Sequence, residues 1–240
     1  MNRRSALQTL SAAGVFWVCG RAGSAWARAT RIKPDATSAL IVVDVQTCFV
    51  AGGTLAVQHG EDVVPVINKI APAFQNVVLT QDWHPPGHAS FASTYPGKRP
   101  FETIQLAYGK QVLWPDHCVQ GSPGALVHSA LETQDRAFAI LRKGANAMVD
   151  SYSAFAEADG LTTGLAALLR ARGIERVFAC GLATDFCVAY SALDARAAGF
   201  ETFVIDDACR AIDADGSLAA AWARMEAAGV KRIGAREILG

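Results

Sequence analysis

The sequence predicts a single α/β domain: a mainly parallel central sheet with helices on both faces. Three observations carry that expectation. Short, almost wholly apolar, β-branched runs recur along the chain, apolar stripes at helical spacing lie between them, and polar or charged residues stand just after several runs. Such runs read as strands buried on both faces, and their alternation with helices gives a covered parallel sheet.

The first run covers residues 39–43 and ends at Asp44; the second covers 76–80 and ends near Asp82. Further strands are expected at 137–141 before Lys143, 176–180 before Gly181, 202–205 before Asp206, and 231–233. Between them, Val63, Ile67, Ile70 and Phe74 recur at helical spacing, as do Leu161, Leu165, Leu168 and Leu169, and again Leu218, Trp222 and Met225. Gly173 and Gly199 stand where the helices before two strands should end. Residues 83–124 break the alternation: they are rich in Pro, Gly, Ser and His, have poor periodicity, and read as a long functional loop.

The 240 residues carry 22 basic and 22 acidic side chains, which excludes a strongly basic nucleic-acid binder and an acidic disordered chain. The balance hides two unlike pieces. Residues 1–29 hold Arg3, Arg4, Arg21 and Arg28 and no acid, leaving 18 basic against 22 acidic groups in the remainder. Paired arginines, an apolar run from about Leu10 to Cys19, and small residues around Ala25–Ala29 form the order of a secretory signal. The arginine pair resembles a twin-arginine signal, with cleavage expected near Ala27 or Ala29. An amphipathic helix packed on the domain is the competing reading. The expectation is therefore an export segment at 1–29, one folded α/β domain at 30–240, a periplasmic location and no membrane anchor after cleavage. Without a working signal the location would be cytoplasmic. A homo-oligomer is compatible with the sequence.

In open α/β sheets ligands bind beyond the carboxyl ends of the strands. Asp44, Asp82, Lys143 and the segment from Gly181 to Cys187 all fall there. Asp82 and His84 are two residues apart past a strand and can face one cation, with His88 and His117 from the following loop completing a site. Carboxylate and imidazole donors suit zinc, iron(II) or manganese. Against this stands a polar loop whose histidines only hydrogen-bond. Cys187 precedes a helical start, where free N–H groups favour a thiolate and can receive an oxyanion. Against this stands a small buried cysteine of no chemical role.

Taken together, Asp44-Val45-Gln46, Thr80-Gln81-Asp82-Trp83-His84-Pro85, Ser90-Phe91-Ala92, Trp114-Pro115-Asp116-His117-Cys118-Val119, Lys143-Gly144, Asp150-Ser151-Tyr152-Ser153-Ala154-Phe155 and Gly181-Leu182-Ala183-Thr184-Asp185-Phe186-Cys187-Val188 closely resemble the nicotinamidases, within the isochorismatase-like cysteine hydrolases. The resemblance runs in order from about Ala39 to the C-terminus. It implies Cys187 as nucleophile, Asp44 as acid/base and Lys143 as positioning cation, with Asp82, His84 and His117 as metal ligands. His88 matches a position that is a ligand in some relatives only. The implied oxyanion hole is the backbone of Ala183 and Cys187, with a cis peptide before Ala183. Phe49, Trp114 and Tyr152 match the walls of a pyridine pocket. The implied substrate is nicotinamide and the implied cofactor one divalent metal ion, zinc first. Another small amide or carbamoyl substrate, a metal-centred hydrolase and a non-catalytic binding protein are the rival readings. One departure stands out: Thr47-Cys48 replaces the family's usual Asn-Asp. Whether Cys48, Cys118, Cys180 and Cys209 pair stays open, though the nearby need for a free nucleophilic thiol disfavours a disulfide framework.

Overall fold

The computed structural model describes residues 31–239, so the export segment expected at 1–29 lies outside the described residues. The chain runs β1 (Ser38–Val43), α1 (Val63–Ile70), β2 (Asn76–Asp82), β3 (Thr103–Leu106), β4 (Gly109–Val112), β5 (Ala139–Lys143), α2 (Leu165–Ala171), β6 (Arg176–Leu182), α3 (Ala189–Ala197), β7 (Glu201–Arg210), α4 (Ser217–Ala227), β8 (Lys231–Ile233) and α5 (Ala235–Leu239). Six strands form one sheet in the order β5-β2-β1-β6-β7-β8, and every neighbouring pair is parallel. All of β1 and β2 is buried, as expected of their apolar stretches 39–43 and 77–79 in a covered sheet. Helices flank it: α1, α3 and α5 pack on β7, and α4 packs on β8.

The strand order reverses between β1 and β6, which places a crevice at their carboxyl ends. Register fixes what lines it. Val43 pairs with Gly181 and Asp82 with Lys143, so residues ending four strands converge on one edge. Gly181 is needed at its place: its φ is +114°, and a Cβ there would lie 2.1 Å from the carbonyl oxygen of Val43. The pairing of β6 with β7 shifts register beside it.

Several expectations need correction. Leu161 and Leu168 do not belong to a buried stripe: α2 starts only at Leu165, and the two are 60% and 42% exposed. The preceding residues are instead held extended, with Thr163 donating through N to Phe155 O and through Oγ1 to Ala154 O. Lys143 closes β5 rather than following it. The expected loop at 83–124 contains the antiparallel hairpin β3–β4. That hairpin stands apart from the main sheet and is mostly half-exposed, so it carries no strong apolar signature. The buried face of α3 is Ala189, Ser191, Ala192 and Ala195, too small to form an apolar stripe in sequence.

The cysteine expectation also fails. Cys48 and Cys118 form a disulfide with Cα atoms 5.8 Å apart, while Cys180, Cys187 and Cys209 are free. The need for one free thiol does not constrain the others: Cys187 lies on the turn after β6, whereas Cys48 and Cys118 lie on two loops that abut. Closing a loop across a separation of 70 residues stabilises the fold by about 4 kcal/mol on chain-entropy grounds.

Candidate active site

Four strand ends supply the centre of the site. Asp44 follows β1 with a φ of +48°, an unfavourable conformation for a residue with a side chain. Its surroundings hold it there: Thr80 Oγ1 lies 3.1 Å from Asp44 N and donates to Asp44 Oδ1 at 2.5 Å. Gln46 fastens the ends of β1 and β2 together, accepting from Asp82 N at 2.8 Å and donating to Asp82 O at 2.9 Å. Lys143 arrives from β5 and Cys187 from a π-helical turn, Thr184–Val188, between β6 and α3. Such turns recur at functional positions.

Lys143 is 2% exposed, and its Nζ meets four groups. It lies 2.7 Å from Asp44 Oδ2 and 3.3 Å from Cys187 Sγ, and it donates to Ser151 O at 3.1 Å and to Asp82 Oδ1. Burial by itself would lower the ammonium's pKa, but Asp44 and Asp82 hold it well above the ordinary lysine value. Burial would raise Asp82, yet Lys143 and His84 keep that carboxyl well below its usual range. Asp44 goes the other way, because its burial outweighs the pull of Lys143. Burial likewise pushes the Cys187 thiol well up against Lys143, so the thiolate favoured in the sequence reading is not the resting form. Oxygen atoms of Asp44 and Asp82 and the Cys187 sulfur all lie within 4.8 Å of one another. The arrangement therefore pairs a protonated thiol with a carboxylate of raised proton affinity.

Beside this cluster, Asp82, His84 and His117 converge. Asp82 Oδ2 is 3.6 Å from Nε2 of both histidines, too far for hydrogen bonds and near the separation of two ligands on one small ion. His84 Nδ1 donates to Gly144 O at 2.9 Å and His117 Nδ1 to Pro115 O at 2.8 Å. Those carbonyls only accept, so each ring carries its proton on Nδ1 and turns an Nε2 lone pair to the shared point. The donor set fits a divalent cation. Gly144 makes the fit possible: with φ +65°, a Cβ there would lie 2.6 Å from His84 Nδ1.

His88 is placed differently. Its ring lies 4.2 Å from that of His84, and its Nδ1 is 2.7 Å from Ser90 Oγ. Burial, followed by the neighbouring His84, lowers its pKa to about 4. His84, His88 and Asp150 form a second group with donor atoms within 4.8 Å of one another.

A narrow cavity opens beside both clusters. Cys187, Ala183, Asp82, His84 and His117 reach it, and Phe49, Trp114 and Tyr152 wall it. The Leu182–Ala183 peptide is cis. Trp114 meets Phe186 edge-on at 4.8 Å, and its Nε1 donates to the Tyr152 hydroxyl at 2.9 Å. Such walls suit a small planar ring.

Other residues hold the site without having been singled out in sequence. Gln111, from the unpredicted hairpin, is buried and donates to Asp150 Oδ2 at 2.8 Å and to the Tyr152 hydroxyl at 3.1 Å. Asp185 accepts from Ile212 N at 3.1 Å, Asp213 N at 2.8 Å and Ser217 Oγ at 2.5 Å, and so fixes Ile212 as a further wall. Leu55, Phe186 and Asp150 complete the lining. Asp185 and Gln46 lay inside recognisable motifs, so their signal was present; Gln111 carried none.

Comparison with known proteins places this geometry. The isochorismatase domain model matches residues 38–237, nearly all of the described chain. The chain belongs to the isochorismatase family. Within that family it is 55% identical, over 87% of its length and 98% of the relative's, to a nicotinamidase of Acinetobacter baylyi. The solved nicotinamidase of Acinetobacter baumanii superposes with a TM-score of 0.83 at 54% identity, covering 85% of this chain and 98% of that one. A protein of L. infantum in complex with nicotinate gives 0.76 at 40% identity, covering 87% and 98%. A pyrazinamidase of Pyrococcus horikoshii in complex with zinc gives 0.66 at 33% identity, covering 82% and 99%.

Because a Cβ at Gly144 would meet the His84 ring, Gly144→Ala should move the imidazole and weaken the affinity of the Asp82, His84 and His117 group for an added divalent cation by about tenfold to a hundredfold. Chelator competition on the folded variant measures this; retention equal to the parent would contradict it.

Proposed function

We propose that this isochorismatase-family chain hydrolyses nicotinamide to nicotinate and ammonia through a thioester on Cys187. The observation that carries the reading is the grouping of Lys143 and Asp44 on Cys187, whose side chain reaches an aromatic cavity also lined by Asp82, His84 and His117. The nicotinamidase relatives, and the nicotinate held by the L. infantum protein, support the ring substrate.

The chemistry follows from the charges. Asp44 accepts the Cys187 proton as sulfur attacks the amide carbonyl; Lys143 stabilises both the thiolate and the ionised carboxylate. Backbone N–H groups of Ala183 and Cys187 receive the oxyanion. Asp44 then gives its proton to the departing nitrogen as the C–N bond breaks, releasing ammonia. Water, losing a proton to Asp44, attacks the thioester; the C–S bond breaks, nicotinate leaves, and Cys187 recovers its proton. A divalent ion on Asp82, His84 and His117 would bind the pyridine nitrogen directly or through water and orient the ring. Zinc is the first candidate, supported by the zinc complex of the P. horikoshii relative, with iron(II) and manganese next. Phe49, Trp114 and Tyr152 hold the ring between apolar faces.

We also propose that residues 1–29 are a twin-arginine export signal and that the mature hydrolase works in the periplasm. No helix among the described residues is long and apolar enough to cross a membrane. N-terminal sequencing of the native protein should begin after Ala27 or Ala29; a start at Met1 or Asn2 would refute export.

Cys187→Ala should abolish ammonia release from nicotinamide while leaving the fold and zinc binding intact. Normal release by that variant would refute the thioester route and favour hydrolysis centred on the metal. A finer test concerns Asp44, which must be ionised to accept the thiol proton. Burial raises its pKa, so the acid limb of kcat/KM should lie above the ordinary carboxylate value of about 4. Thr80→Val removes a hydrogen bond that favours the ionised form, so the limb should move to still higher pH. A pH–rate profile with an unmoved or lowered limb contradicts the role given to Asp44.

A further inference from the structure

The Cys48–Cys118 disulfide joins the two loops that carry opposite parts of the cavity. On one side, Phe49 follows Cys48 directly, and the carbonyls of Cys48 and Phe49 accept from Leu55 N at 3.0 Å and Val57 N at 2.9 Å. Phe49 and Leu55 both line the cavity. On the other side, His117 precedes Cys118, and the Cys118 carbonyl accepts from His84 N at 3.1 Å. Cys118 itself is held at φ +45°, a conformation a residue with a Cβ takes up only where its surroundings impose it. The Phe49 and His117 rings stand 5.6 Å apart across this junction.

Apart from that ring contact, the hydrogen-bonded ties between these loops are indirect. Thr47 N donates to Leu126 O at 2.9 Å, and Gln46 reaches Ala125 O. Among the described residues no hydrogen bond joins residues 47–50 to residues 114–119. Both cysteines are 1% exposed, so the bond is packed into the junction rather than lying on the surface.

We propose that the Cys48–Cys118 bond is a positioning element of the active site, fixing the Phe49 wall to the His117 loop. Its reduction therefore loosens retention of the divalent ion and of the ring substrate while sparing the acyl-transfer groups Asp44, Lys143 and Cys187. Formation removes two protons and two electrons from the paired thiols, taken up by an oxidised dithiol carrier whose own disulfide becomes two thiols. A reduced dithiol runs the exchange backwards. The inference rests on the ion site and substrate proposed above.

The test uses the full chain, purified without reductant and alkylated before digestion. A peptide pair linked through Cys48 and Cys118 is expected, with Cys187 alkylated on denaturation. Zinc-loaded enzyme is then compared with enzyme reduced by dithiothreitol, freed of the reagent without air and reloaded with zinc, because dithiothreitol itself binds zinc; near-ultraviolet circular dichroism confirms the fold. Expected after reduction are zinc release to a chromophoric chelator about tenfold faster and a KM for nicotinamide raised several-fold, at nearly unchanged kcat. The double variant Cys48→Ser with Cys118→Ser should reproduce the reduced state; should it not fold, reduction of the parent protein still decides. Two free thiols in the native enzyme, or a linked pair whose reduction changes neither zinc release nor KM, overturns the proposal. Zinc retained without any ammonia release refutes the substrate reading alone, because ion retention still reports on the bond.

Discussion

A buried ammonium between two buried carboxylates is the interaction on which the rest of the site depends. Lys143 Nζ bridges Asp44 and Asp82 while touching Cys187, and almost none of this is reached by water. Removing one partner of such a cluster strands the others and costs about 3–5 kcal/mol, so the lysine is structural as well as chemical. Its charge is divided unequally between the two carboxylates. Asp82, also facing two histidines, stays ionised; Asp44, enclosed more completely, is raised in proton affinity. One cation thus leaves one carboxylate ionised beside two histidines and the other with a raised proton affinity beside the thiol.

The parallel sheet makes that cluster attainable. Asp44, Asp82, Lys143 and Cys187 are far apart in sequence, but parallel strands bring their carboxyl ends to one edge, and the reversal between β1 and β6 opens space above it. The close approach of Gly181 to Val43 keeps the two strands that flank the crevice together. Secondary polar ties then fix each group's orientation: Thr80 on Asp44, Gln46 across β1 and β2, Gly144 and Pro115 on the two histidines, and Asp185 behind the Cys187 turn.

The main sheet was legible because strands covered on both faces need apolar centres, and residues 39–43, 77–79 and 177–180 are apolar without a break. The hairpin β3–β4 was not, because it packs on the rim and alternates weakly. Leu161 and Leu168 misled because helical spacing counts apolar residues without saying whether a tertiary surface awaits them. At the site, motif-bearing residues such as Asp82 and His84 were readable, and their convergence with His117 is geometric. Gln111 was invisible, since a glutamine on a half-exposed strand looks like any other until its partners Asp150 and Tyr152 are known. The disulfide was misjudged for a related reason: its partners lie on loops whose meeting no local pattern announces.

The central claim is that this cluster makes Cys187 a nucleophile toward an aromatic amide. Acid quenching during turnover of nicotinamide, followed by peptide mass spectrometry, tests it most directly. The account predicts a nicotinoyl group on the Cys187 peptide that appears with substrate and disappears as substrate is exhausted. Sustained ammonia release with Cys187 unmodified throughout, under a quench that preserves a synthetic nicotinoyl thioester, would contradict it.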